Sequence, residues 1–232
     1  AFLRFQLPFP VCIALAVLMG VAVGFLVGLP TLRLHRDYFL LVTFGFGEMV
    51  RAALLHLAQL TGGALGVAGI PKLVGLPTIV LSIAIITLIT ANLKRSRFGR
   101  NCIAIRDDEL AATLMGIPVF RHKMKVFILS SAITSYGGAI YAFVIMFIEP
   151  NLFNWLESAK LIIITFVGGV NSITGAIVMS VVYYSFGEFF RFVDVWRDVI
   201  LAVAVLLVTI FRPQGIFGNW ELSVGGLRRK AR

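Results

Sequence analysis

The chain has 232 residues, of which 59% are hydrophobic and only 14% charged, and its mean hydropathy is +0.95. A soluble globular domain is roughly half apolar and a quarter charged, so this composition excludes an ordinary soluble protein and implies an integral membrane one. The 21 Lys and Arg against 11 Asp and Glu give a net charge of +10. The basic residues cluster briefly between apolar runs, with no stripe interleaved with aromatics; that excludes a nucleic-acid surface and fits cytoplasmic membrane loops.

A helix needs about 20 apolar residues to cross the hydrocarbon core. The first candidate span covers 11–29. The apolar run around it is long, contains Pro8, Pro10 and Pro30, and has no small-residue cleavage site followed by a soluble chain, so it is not a convincing signal peptide. Its Gly20, Gly24 and Gly28 form a ridge that lets another helix approach closely. The chain begins at Ala1, so upstream residues are expected. The second span, 38–60, holds two charges, Glu48 and Arg51, spaced i,i+3 on one helical face. After it comes Thr-Gly-Gly-Ala-Leu-Gly-Val-Ala-Gly at 61–69, which cannot be a straight helix interior. It reads either as a broken element beside a translocation path or as a flexible loop.

The third span is 73–93 and the fourth 126–148. Between them, 94–125 carries Lys94, Arg95, Arg97, Arg100, Arg106, Arg121, Lys123 and Lys125, and the tail at 212–232 carries Arg212, Arg228, Arg229, Lys230 and Arg232. The positive-inside rule makes both cytoplasmic. Counting back, 61–72 lies outside, 32–37 with Arg33 and Arg36 inside, and the N-terminus outside. Fewer basic residues fall outside: Arg4, Lys72, Lys160, Arg191 and Arg197. If the tail is inside, 161–186 must enter and leave on one face and 199–211 make the last crossing. The sequence Gly168-Gly169-Val170-Asn171-Ser172-Ile173-Thr174-Gly175 is a natural break for two half-helices, tolerable only where protein or water satisfies the backbone. The alternative is one kinked span.

Enzyme signatures are missing. There is no P-loop, and His35, His56 and His122 lack metal-ligand spacing. Neither a serine–histidine motif nor an acid–base carboxylate pair is recognisable, since Asp107, Asp108 and Glu109 are adjacent in a solvated loop. Cys12 and Cys102 lie at different depths, which argues against a disulfide framework. The loop instead predicts a short helix over 101–115, with Ile103, Leu110, Ala111 and Leu114 on one side and Arg106 and the acids largely elsewhere. Gly116 and Pro118 stop it. Ala111 and Ala112 allow close contact with a partner surface. Such a helix either lies on lipid or docks into a soluble partner.

The stretch from Arg97-Phe98-Gly99-Arg100 through Asp107-Asp108-Glu109-Leu110-Ala111-Ala112 to Gly116-Ile117-Pro118 resembles the coupling loop of ABC-importer permeases. It looks most like the M-type member of the H/M permease pair of branched-chain amino acid importers. The likeness extends over 32–51 (from Leu32-Arg33-Leu34-His35 to Gly47-Glu48-Met49-Val50-Arg51). It continues at Leu60-Thr61-Gly62-Gly63 with Gly66, at Gly168-Gly169 with Ser172 and Gly175, and at Phe211-Arg212-Pro213-Gln214-Gly215-Ile216-Phe217-Gly218. Departures are His35, where a small residue is common, Val170-Asn171 after the paired glycines, and fewer upstream spans than relatives carry, as in an N-terminally shortened chain.

The resemblance implies an all-α polytopic membrane bundle of ABC-importer permease type, with broken or re-entrant helices and a cytoplasmic coupling helix, in one permease domain over 1–232. It implies a multi-pass protein of the bacterial inner membrane, paired with an H-type permease, two ATPase subunits and a periplasmic binding protein. ATP would bind only those ATPases, with no cofactor, metal or catalytic residue here. The solute would be a branched-chain amino acid, an amide or urea. Arg100, Arg106, Asp107, Asp108, Glu109, Ala111, Ala112 and Gly116 would couple to the ATPases. Tyr38, Glu48, Arg51, Thr61, Gly62, Gly63, Gly168, Gly169 and Ser172 would border the translocation path. Glu48 and Arg51 read either as a structural ion pair or as a contact for a zwitterionic solute. A stand-alone secondary transporter is the alternative, but it leaves the cytoplasmic helix unexplained.

Overall fold

The structure, a computed structural model, describes residues 8–34, 36–57 and 61–189, and near the C-terminus 203, 205–206, 208, 210–212 and 215–218. His35, Leu60, Arg4, Arg191, Arg197, Pro213, Gln214, much of 199–211 and the tail with Arg228, Arg229, Lys230 and Arg232 lie outside the described residues.

Nearly all described secondary structure is helical. Helix α1 (Phe9–Thr31) starts after Pro8, with Pro10 in its first turn where a missing N–H does no harm. The Thr31 hydroxyl, almost wholly buried, donates to the Val27 carbonyl at 2.7 Å. Helix α2 is Arg36–His56. Helix α3 (Leu76–Arg95) begins at Gly75 with Pro77 in the first turn and ends on Lys94 and Arg95, which favour the negative end of the helix dipole. Two short helices follow, α4 (Arg97–Asp107) and α5 (Glu109–Leu114). Then comes the long α6 (Val119–Ile145), which stops where Met146 turns left-handed. Tyr38–His56 within α2, and α1, α3 and α6 whole, are long and apolar enough to cross a membrane.

These are the first four apolar runs of the sequence, with shifted ends. Helix α6 begins at Val119 rather than 126, because the chain is already helical through the basic stretch Arg121–Lys125 and its polar turns reach beyond the apolar core. It ends at Ile145 rather than 148, since Phe147–Ile148 forms strand β2.

The glycine ridge of α1 packs along α6, which runs antiparallel to it. A Cβ on Gly24 would sit 2.7 Å from Ser131 Cβ, and one on Gly28 would sit 2.9 Å from Phe127 Cδ1. At Gly20 the neighbour is Ser135. Val74, Ile140 and Phe143 are buried with Phe9, Cys12, Ile70, Ile79 and Tyr136 around them. Phe9 meets Phe143 edge-on with centroids 5.0 Å apart. A 2.8 Å hydrogen bond between Ser82 and Tyr136 ties α3 to α6. Elsewhere large apolar side chains such as Leu18 and Leu26 point outward, as a lipid-facing bundle requires.

The glycine-rich 61–69 stretch is an ordered loop. A 3-10 turn, Gly63–Leu65, leads to strand β1 (Val67–Ala68), which pairs antiparallel with β2 in the register Val67↔Ile148 and Ala68↔Phe147. Gly62, Gly63, Gly66 and Gly69 all have positive φ. A Cβ on Gly66 would lie 2.5 Å from the Ile148 carbonyl, so this close approach needs glycine. The pairing puts the exit of α2 and the exit of α6 on one face of the bundle.

The chain divides into two compact units, Ala1–Trp155 and Leu156–Arg232. In the second, α7 (Trp155–Gly168) and α8 (Ile173–Phe189) flank a break at Gly169–Ser172. The 161–186 run is therefore interrupted where its paired glycines fall. Ser172 caps α8, its hydroxyl accepting the Gly175 N–H at 2.9 Å.

Candidate functional site: a helix pair and an opposite loop cluster

The predicted single helix over 101–115 is two helices with a corner at Asp108. Helix α4 starts earlier, at Arg97, because the Ser96 hydroxyl accepts the Gly99 N–H at 3.2 Å. Asp108 then leaves the helix (φ −153°, ψ 111°), and its carboxylate accepts from the N–H groups of Leu110 and Ala111, both at 2.9 Å. An aspartate that caps a new helix outcompetes its own place in a continuous one.

Helix α5 ends as the sequence suggests. Gly116 has φ +79°, its N–H donates to the Thr113 carbonyl at 2.9 Å, and the Ile117 N–H reaches back to the Ala112 carbonyl at 3.1 Å. That is a Schellman closure. No atom lies within 4 Å of a Cβ placed on Gly116, so backbone conformation alone selects glycine there.

The corner at Asp108 changes which residues face out. Ile105 and Ala112 are buried, whereas Leu110, Leu114 and Met115 are 73%, 81% and 82% exposed, with Ala111 exposed among them. Ala112, expected with Ala111 to allow close contact with a partner surface, is buried here while Ala111 is exposed. Arg106 pairs with its neighbour Asp107 at 2.7 Å, both half exposed, and Arg100 donates to the Arg95 carbonyl at 2.9 Å. Glu109 reaches Lys123 on α6 at 2.6 Å.

His122 and Phe98, to which the sequence reading gave no such role, complete the link to α6. The His122 ring stacks on Phe98 with centroids 5.3 Å apart. Its Nδ1 lies 3.0 Å from the Pro118 carbonyl and its Nε2 3.3 Å from the Asn101 amide. The i,i+4 spacing of Pro118 and His122 was a visible signal for the first contact; nothing local announced the others. Nearby, Arg33 stacks over Phe120 at 5.4 Å. Partial burial pushes the pKa of the Cys102 thiol up from its ordinary value. Among the described residues no three His, Cys, Asp or Glu side chains gather as metal ligands.

At the other end of α2, Glu48 and Arg51 form an ion pair at 2.8 Å, each about 30% exposed. Arg51 also donates to Asn151 Oδ1 at 3.2 Å, in the 3-10 turn Pro150–Phe153. The Thr61 hydroxyl lies 2.6 Å from the Leu54 carbonyl and accepts the Gly63 N–H at 3.2 Å, closing α2 onto the Gly62–Gly63 turn. The two 3-10 turns touch each other and α2. Glu48, Arg51, Thr61, Gly62 and Gly63 therefore share one end of the unit, while Tyr38 sits at the opposite end of α2. In the second unit Gly168, Gly169 and Ser172 are enclosed by their own chain: Ser172 is 2% exposed, and a Cβ on Gly168 would meet Ala176 Cα at 3.0 Å.

Comparison with known proteins agrees with this architecture. The sequence profile of the family described as "Branched-chain amino acid transport system / permease component" matches residues 1–210. The high-affinity branched-chain amino acid permease protein LivM of Escherichia coli K12 is 30% identical over 246 residues, covering 91% of this chain and 58% of that protein. BraD of Pseudomonas aeruginosa, named for the same transport, is 29% identical over 138 residues, or 58% of this chain and 44% of its own. LivH of Salmonella typhimurium is 26% identical over 155 residues, 62% of this chain and 47% of its own. The chain thus spans under two thirds of the LivM length. No solved structure matches it.

Proposed function

The chain belongs to the branched-chain amino acid transport system permease family, and on that premise we propose that it is one of two membrane subunits of an ATP-binding-cassette importer. The solute is a branched-chain amino acid or a related small molecule such as an amide or urea. The partners are an H-type permease, two ATPase subunits that bind the ATP, and a periplasmic binding protein, at the bacterial inner membrane. This chain carries no nucleotide and no catalytic residue.

The observation that carries the reading is the α4–α5 pair. A six-residue helix that presents Leu110, Ala111, Leu114 and Met115 to solvent, between two apolar spans, has a face made for a partner. Its firm ends, Asp108 and the Gly116 closure, let it move as a rigid piece. Force on α5 passes to α6 through Glu109–Lys123, and force on α4 through Asn101–His122 and Phe98–His122. Helix α6 spans the unit, lies along α1 through the glycine ridge, and ends in the strand paired to the loop after α2. A displacement at the cytoplasmic end is thereby carried to the opposite face by packed elements rather than by a chain of weak contacts. Glu48 and Arg51 neutralise each other there, which supports a strut holding α2 to the Pro150–Phe153 turn. A permease fed by a binding protein needs little affinity of its own.

The test is uptake of labelled leucine into proteoliposomes. Import that requires ATP, both ATPases, the second permease and the binding protein supports the reading. Uptake by this chain alone, driven by a proton or sodium gradient, points instead to a secondary transporter.

A further inference from the structure

Two glycine-bearing stretches far apart in the sequence, 168–175 and 215–218, meet in the second unit. Helix α7 ends at Gly168, so its last carbonyls lack helical partners. The Ile216 N–H donates to the Val167 carbonyl at 2.8 Å, and the Phe217 N–H points at the Gly168 carbonyl at 3.3 Å. Gly215 makes the approach possible. It is buried, has φ +82°, and its N–H donates to the Arg212 carbonyl at 2.9 Å. A Cβ there would lie 2.5 Å from Gly169 Cα, 2.6 Å from Gly169 N and 2.7 Å from the Phe166 carbonyl, all backbone atoms that cannot swing aside. On the far side, a Cβ on Gly175 would lie 3.0 Å from Phe217 Cβ. Non-helical backbone needs its polar groups satisfied by protein or water, and here the 215–217 turn supplies N–H partners to the Val167 and Gly168 carbonyls.

We propose that the 215–217 turn is a clamp on the α7–α8 joint, with Gly215 and the Ile216 N–H as positioning groups that hold the break in the geometry transport needs. These groups touch no solute; they act through the backbone of Val167, Gly168 and Gly169. On this assignment the glycines of the break serve close backbone packing. The clamp stands on geometry alone, whereas its effect on transport rests on the importer reading above.

The experiment compares Gly215→Ala, Ile216→Pro and Ile216→Ala, the last of which shortens the side chain but keeps the N–H. Each is built in a background with Cys12 and Cys102 changed to alanine. Spin labels go on cysteines at Leu161 and Val181, exposed positions of α7 and α8. Label distances are read in the purified chain, and leucine uptake and basal ATP hydrolysis in the assembled importer. The clamp predicts one narrow distance distribution and full uptake for wild type and Ile216→Ala. Gly215→Ala and Ile216→Pro should broaden the distribution and lower uptake by roughly tenfold or more, the scale of one lost buried hydrogen bond. Basal hydrolysis should stay unchanged. Distances or uptake at the wild-type level in both variants overturn the proposal, as does equal loss in Ile216→Ala. If Gly215→Ala does not insert, the Ile216 pair decides. If the wild-type complex does not import at all, the importer reading fails while the label distances still judge the clamp.

Discussion

Gly24→Ala is a clean probe of the bundle because everything its methyl group meets belongs to one side chain. The added carbon would sit 2.7 Å from Ser131 Cβ and closer still to its hydroxyl, where carbon atoms prefer about 3.5–4.0 Å. Helices α1 and α6 must part by about 1 Å locally, and overpacking of that kind costs about 1–3 kcal/mol. Ser131→Gly removes both offending atoms. Its own loss is the helix propensity of glycine, about 1 kcal/mol, plus a hydroxyl contact to the Phe127 carbonyl within the same helix. In the Ser131→Gly background, Gly24→Ala should therefore be neutral or slightly stabilising, giving a coupling of about 1–3 kcal/mol. The assay is reversible unfolding of the purified chain in mixed micelles, followed by circular dichroism, for all four members of the cycle. An equal cost of Gly24→Ala in both backgrounds would refute the antiparallel α1–α6 contact.

Other outcomes follow from the same geometry. At Gly116, where space is open and only φ is demanding, alanine should destabilise the α5 terminus by about 1–2 kcal/mol, asparagine by less and valine by more, with uptake falling in that order. Changing Glu48→Gln or Arg51→Met alone strands a half-buried charge and should lower stability by about 1 kcal/mol, discounted for exposure. The double change should be milder than either, and the same unfolding assay checks it. Cysteines at Thr113 and Leu65, both exposed, should react with impermeant maleimide only from the cytoplasmic and only from the periplasmic side respectively. Labelling of both from one side would contradict the topology.

The spans were legible because twenty-residue apolar runs have few other uses, and the α1 ridge because three glycines at four-residue spacing fall on one helical face. Gly116 was legible because glycine followed by proline ends helices locally. Asp108 was not read, although its capping preference is a local signal, since the apolar spacing through Leu110 and Leu114 suggested a continuous helix. Missing that corner left the burial of Ala112 unread. The pairing of Val67 with Ile148 and the approach of Gly215 to Gly169 join residues remote in sequence, and no periodicity encodes them. Composition could not show that 61–69 is held as an ordered loop, because that order comes from pairing with the remote strand at Phe147–Ile148.

The central claim is that α5 is where ATPases drive this permease. ATP hydrolysis by the reconstituted complex, with and without loaded binding protein, tests it in one measurement on wild type and Ala111→Trp, with Thr113→Ala as a mild control. An indole at exposed Ala111 should hold the ATPase off the Leu110–Leu114 face. Hydrolysis should then stay at its basal rate when the loaded binding protein is added, while wild type and Thr113→Ala are stimulated. Full stimulation in Ala111→Trp would mean that α5 is only a surface helix and that the coupling lies elsewhere.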